Sequence, residues 1–203
     1  MTDTVITHPD NHEPTSFSAD ELGWLPWLQP LAEADLTEQH WAGLVDKSRA
    51  KSEYFMLLAH DPEVLGARTR TDKDIFYNTK GGLPRAEREL AAAAVSRLNG
   101  CIFCASVHAR FAIHHLKRAD EVTVLLDEGI PSPLRGRNGA VVSAAAALSQ
   151  TPPGFSAANA ASLLDTGFDV QEQVDLVLSA AFFNWANRLM LSIGEPTPAA
   201  ALV

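Results

Sequence analysis

The chain contains only two cysteines among 203 residues, no second CxxC pair and no HxxH pair. That excludes a framework of several disulfides and the two-pair ligand set usual for structural zinc. No run of about 18 apolar residues occurs, so no transmembrane helix is predicted. Met1 to Ser18 has neither the basic start nor the apolar centre of a signal peptide. These absences predict a cytoplasmic protein with no membrane partner, where a CxxC pair serves catalysis or metal binding more often than a permanent crosslink. Basic residues are also scarce, 16 Lys and Arg against 25 Asp and Glu, for a net charge of −9. Such a surface repels phosphate backbones and predicts no nucleic-acid partner. No repeat of solenoid type is visible.

Alanine is abundant instead, and it clusters at Ala91–Ala94, Ala144–Ala147 and Ala157–Ala161. Alanine has the lowest helical cost, so these clusters predict closely packed helices and an all-α fold. The two strand-like runs are read as helix. Residues 1–16 show no periodicity and are expected to be a disordered arm, 17–194 the helical domain, and 195–203 a tail. Within the domain, Phe17 to Pro30, which includes Trp24-Leu25-Pro26-Trp27-Leu28, carries two prolines that forbid a long helix and is expected to lie across a groove or cap the core. A first helix is expected from Thr37 to about Arg49, and a short one from Glu53 to His60 behind Ser52. Asp61-Pro62 is a cap followed by proline at the first helical position, opening a helix to about Asn78. Pro84 opens a helix over Arg85–Leu98, which Asn99-Gly100 ends. The next runs from Cys101 to Lys117 or Arg118. Asp120 is expected to cap a short helix that stops at Gly129. Helices follow at about Arg135–Ser149, Ser156–Leu164 and Val170–Ser192. A helical pair of similar length recurs on either side of Pro131–Pro133, the pattern an old internal duplication would leave.

The chemistry concentrates in Cys101-Ile102-Phe103-Cys104-Ala105-Ser106-Val107-His108. Positions three, four and seven apart share one helix face, so Cys101, Cys104 and His108 line up. Cys101 follows Gly100 at a helix N-terminus, where unpaired N–H groups and the helix dipole favour a thiolate. The two sulfurs are close enough to form a disulfide, and His108 can accept the Cys104 proton. Glu89 lies on the preceding helix, followed by the apolar run Leu90 to Val95. A carboxylate in that setting needs a partner, and His108 is the natural one.

Glu89, eleven residues, Cys101-x-x-Cys104, three residues and His108 together resemble the motif of AhpD-type alkylhydroperoxidases, within the carboxymuconolactone decarboxylase superfamily. The run-in Arg85-Ala-Glu-Arg-Glu-Leu-Ala-Ala is similar to the family's, and Phe183-Asn184-Trp185-Ala186-Asn187-Arg188-Leu189 resembles the closing helix of its peroxidase-related branch. The resemblance spans roughly Phe17 to Gly194. It implies an AhpD-like helical bundle, a homo-oligomer built from trimers, no cofactor, and reduction of a hydroperoxide at the expense of a dithiol reductant protein. It also implies that Cys104 is the peroxidatic cysteine, Cys101 the resolving one, His108 the base and Glu89 its proton relay. Phe103 stands where some of these enzymes carry a second histidine, which implies a shorter relay. The family's lactone decarboxylases generally lack the cysteine pair, so decarboxylation is disfavoured.

Other readings use the same residues. Cys101, Cys104 and His108 offer zinc three ligands, but His115 is about 10 Å beyond His108 at the helical rise, and no metal is expected. Haem attachment is excluded in its usual form because Ala105, not His, follows Cys104. A thiol–disulfide exchange or redox-sensing protein would keep the pair without peroxide chemistry. A non-catalytic helical oligomer would keep it for packing. His114 and His115 are expected at the surface. Asn184, Asn187 and Arg188 either tie helices together or line a pocket, and Trp24 and Trp27 are candidates to wall a channel.

Overall fold

The computed structural model describes residues 4–78 and 80–199. Within them the fold is all-α, with one two-stranded ribbon. The ends of the expected arm and tail, 1–3 and 200–203, lie outside the described residues. The helices are α1 (Glu38–Leu44), α2 (Glu53–Leu58), α3 (Pro62–Tyr77), α4 (Arg85–Asn99), α5 (Ile102–Leu116), α6 (Ala119–Glu128), α7 (Gly136–Ser149), α8 (Ala157–Asp165) and α9 (Val170–Ile193). Strands β1 (Leu22–Pro26) and β2 (Gly194–Pro198) form the ribbon.

The helix α4 is the axis of the molecule. Every residue from Glu87 to Ser96 is buried, as expected of a helix whose apolar and alanine positions run all the way round. The helices α5, α7 and α9 pack against it, and small alanine side chains let them approach closely. Local signals set the boundaries. The Asp61 carboxylate accepts from the Val64 N–H at 3.1 Å, with Pro62 opening α3. Asp169 and Glu172 form a reciprocal capping box at the start of α9, at 2.8 and 2.9 Å. By length and composition α9 would suffice to cross a membrane. Here it lies against α4 and α7 and buries Leu176, Ala180, Phe183, Ala186 and Met190 in the core.

Three expectations are corrected. The first helix ends at Leu44, because Val45 takes a left-handed conformation (φ 64°) and Asp46 caps a separate 3-10 turn over Lys47–Lys51. Asp120 is inside the first turn of α6, and Arg118 precedes the helix. A ribbon that was not expected joins the aromatic segment to the start of the expected tail: Leu22–Pro26 and Gly194–Pro198 pair antiparallel, with Trp24 opposite Pro196. Prolines are tolerated because each strand has a free edge that needs no ladder donor. Gly194 is required by close approach, since a Cβ there would lie 2.1 Å from the Trp24 ring.

The boundary at 194/195 therefore falls inside β2. The segment from Thr4 also has defined contacts: the Ile6 N–H donates to the Trp27 carbonyl at 2.8 Å, and Asn11 donates to Glu195 at 2.8 Å. The Trp27 indole donates to the same carboxylate at 2.7 Å. Trp24 belongs to the hydrophobic core and packs edge-on against Tyr54, with ring centroids 5.4 Å apart. The segment thus caps the core, one of the two placements expected of it, with Leu28 left exposed.

Candidate active site

Between α4 and α5 the chain turns at Gly100, whose left-handed conformation (φ 81°) suits glycine. The turn is closed by the Cys101 N–H donating to the Ser96 carbonyl at 2.9 Å. Cys101 is thus the N-cap residue of α5 and Cys104 lies in its first turn. Both are free thiols, only 2% and 5% exposed, with their Sγ atoms 2.7 Å apart.

One turn further along α5, His108 meets Glu89 from α4, with Nδ1 2.6 Å from Oε2. A carboxylate only accepts, so Nδ1 carries the hydrogen and Nε2 is the basic nitrogen. The imidazole is wedged between Phe183 and Phe76, at centroid distances of 4.0 and 5.4 Å. Glu89 is 1% exposed, and its second oxygen accepts from Arg85 Nε at 3.1 Å. Arg85 in turn stacks on Tyr77, 4.2 Å from the ring centroid. All four sequence-predicted site residues, Glu89, Cys101, Cys104 and His108, are brought together. Arg85 is a fifth member, legible in hindsight from its position four residues before Glu89 on the same helix face.

The two sulfurs differ electrostatically. A hydrogen bond from Cys104 holds the Cys101 thiol below its usual range, and the Cys104 N–H and Asn187 add to this. Burial pushes the Cys104 thiol well up, and the neighbouring Cys101 sulfur adds to the rise. Asn187, fully buried on α9, is within reach of both sulfurs and favours their ionised forms. It also donates to Ser96 at 3.0 Å and accepts from Asn99 at 3.1 Å. Asn184 instead bridges Asn99 and Ser149. Neither amide lines the main cavity, so of the two readings the tie between helices holds for both.

That cavity has a volume of about 640 Å³. Cys104, His108 and Glu89 line it, whereas Cys101 does not. Aromatic rings, including Trp24, Phe76, Phe103, Phe111 and Phe183, make part of its wall, and charged and polar residues such as Asp46, Arg49, Lys51 and Glu53 line it as well. Tyr54 and Arg68, from α2 and α3, line it too, and sequence reading gave no sign of either. Trp27 is not among the lining residues. Cys101, Cys104 and His108 do not converge on one point. Among the described residues, no three His, Cys, Asp or Glu side chains are placed to hold an ion. His114 is exposed at the end of α5, as expected, and so is His115.

Residues 62–147 match the Carboxymuconolactone decarboxylase family. No curated protein matches the chain. Among solved structures, it is similar to an uncharacterized peroxidase-related protein from Silicibacter sp. TM1040, with a TM-score of 0.67 and 22% identity over 81% of this chain and 86% of that one. A second similar structure is the alkylhydroperoxidase AhpD core, an uncharacterized peroxidase-related protein from Ralstonia eutropha JMP134, with a TM-score of 0.66 and 22% identity over 92% of each chain. A third is a variant of the debrominase Bmp8 in complex with 2,3,4-tribromopyrrole, with a TM-score of 0.64 and 16% identity over 81% of this chain and 87% of that one.

Proposed function

We propose that the chain, whose residues 62–147 match the Carboxymuconolactone decarboxylase family, is a thiol-dependent peroxidase of AhpD type, with Cys104 as nucleophile and Cys101 as resolving thiol. One observation carries this reading: Cys104 faces the cavity beside an imidazole whose other nitrogen is fixed by a buried carboxylate. A buried thiol with a raised pKa needs a base close by to become a nucleophile. His108 Nε2 takes the Cys104 proton, and Glu89 holds the imidazole in the tautomer that can accept it.

The thiolate then attacks the terminal oxygen of the hydroperoxide. An S–O bond forms as the O–O bond breaks, so sulfur is oxidised to a sulfenic acid and the peroxide is reduced to an alkoxide. The proton held on His108 passes to the alkoxide and gives the alcohol. Cys101, the sulfur whose ionisation is favoured, attacks the sulfenic sulfur, forming the disulfide and releasing water. A dithiol reductant protein restores the pair.

Thiol–disulfide exchange with a protein as first oxidant is less well supported, because both sulfurs are buried and Cys104 opens only to the cavity. A homo-oligomer is part of the proposal. Leu164 on α8 and Val170, Val174 and Leu178 on α9 leave an apolar strip on the surface that association would cover. The deciding experiment is a panel of hydroperoxides assayed with dithiothreitol as reductant, using wild type and Cys104→Ser. Consumption by wild type alone is expected. Equal consumption by both proteins, or none by either, overturns the reading.

A further inference from the structure

Two buried polar atoms on residues lining the cavity have no hydrogen-bond partner. The Tyr54 Oη and the Arg68 Nε are each shielded from solvent and make no hydrogen bond. Both residues are more than nine-tenths buried or close to it, at 7% and 9% exposure. A buried donor without a partner destabilises a protein, so its retention calls for a reason outside the fold. Packing holds both side chains in place. Trp24 and Phe55 flank the Tyr54 ring edge-on at 5.4 and 5.3 Å. The Arg68 guanidinium lies over the Phe55 and Phe182 rings at 5.3 and 5.2 Å, while one terminal nitrogen donates to Asp72 at 3.3 Å. Tyr54 and Arg68 line the same cavity as Cys104 and His108.

The geometry points to Tyr54 and Arg68 as a cradle for the oxygen atoms of a bulky aryl or alkyl hydroperoxide, whose hydrocarbon group fills the aromatic cavity beside Cys104. This rests on the peroxidase reading of the same site. The Tyr54 O–H and the Arg68 N–H donate to the oxygen that becomes the alkoxide as the O–O bond breaks, and the proton from His108 then completes the alcohol. A volume of about 640 Å³ far exceeds what hydrogen peroxide needs, and the aromatic rings among the lining residues suit an aryl-alkyl group. Two donors aimed at one oxygen supply the stabilisation that such a departing charge requires.

The test separates binding from turnover. 2-Phenyl-2-propanol, the alcohol product of cumene hydroperoxide, carries the same oxygen and cannot oxidise the thiols. Titration calorimetry of the reduced protein with this alcohol should show saturable binding, at least about fivefold weaker in Tyr54→Phe and in Arg68→Lys, as expected for one lost hydrogen bond. In turnover, kcat/KM for cumene hydroperoxide should exceed that for hydrogen peroxide and should fall about 100-fold in Tyr54→Phe, the scale of one lost oxyanion donor. The Tyr54→Phe protein should melt no lower than wild type, because the hydroxyl it loses has no partner. Absence of alcohol binding, or equal binding by wild type and both variants, overturns the cradle even if peroxide is consumed. Alcohol binding that depends on Tyr54 in a protein that consumes no hydroperoxide retains the cradle and sinks the peroxidase reading.

Discussion

Replacing Glu89 by glutamine keeps the shape of the side chain and removes its charge. In the native site one oxygen accepts from His108 and the other from Arg85, at 2.6 and 3.1 Å. Glutamine has a single oxygen. If that oxygen serves Arg85, the amide N–H faces His108 Nδ1 and forces the opposite tautomer, with Nε2 protonated and unable to accept. If it serves His108, two donors collide at Arg85. A hydrogen bond to a charged group contributes about 1.5–3 kcal/mol, and one pKa unit is about 1.36 kcal/mol. Transfer of the Cys104 proton to Nε2 should therefore become about 10- to 100-fold less favourable at neutral pH. The assay is iodoacetamide alkylation of Cys104 from pH 6 to 10, with each cysteine followed separately by peptide mass spectrometry. Glu89→Gln and His108→Gln should each slow the reaction about tenfold or more at pH 7, and all rates should converge at high pH. The double variant should be little worse than either single one, because the two residues act as a unit. Equal rates in wild type and both variants across pH 6 to 8 would refute the relay.

Three further outcomes are expected. One equivalent of hydroperoxide should remove two hydrogens from the mass, mapped to the single peptide that holds Cys101 and Cys104; two thiols still alkylatable afterwards would defeat the redox reading. Light scattering at micromolar concentration should give a multiple of the 21.9 kDa chain mass, and a stable monomer would contradict the oligomer. Burial raises the pKa of both Cys104 and Tyr54 in the folded protein. Their neutral forms thus contribute stability that is present below the unfolded values and lost as pH rises through the folded ones. Urea midpoints should fall above about pH 9, the ordinary thiol range, and fall less in Cys104→Ala and Tyr54→Phe. Parallel alkaline slopes in all three proteins would show the shifts to be immaterial.

Much of the site was legible because it is local. Cys101, Cys104 and His108 follow one another on a single helix, and Glu89 comes from the helix next to it across a glycine turn. Helices α3, α4 and α9 were equally legible, since caps, proline at the first position and glycine at the end are chemical signals a few residues long. The ribbon was not. Its strands are about 170 residues apart in sequence, and Pro26, Pro196 and Pro198 remove the donors by which a strand is recognised. Tyr54 and Arg68 escaped for a related reason. Each lies on a helix that reads as ordinary core, and only the packing of α2 against β1 and of α3 against α4 and α9 brings both to the cavity that Cys104 lines.

The sulfurs also face different spaces. Cys104 opens onto the large cavity, while Cys101 borders a space of about 30 Å³, bounded by Glu13, Trp24, Gly194 and Pro196. That space holds about one or two waters and no reductant. Once joined, the sulfurs would be sealed on one side by the ribbon and reachable on the other only by what fits among the aromatic rings. A reductant of the joined pair must therefore reach it through the cavity that Cys104 lines.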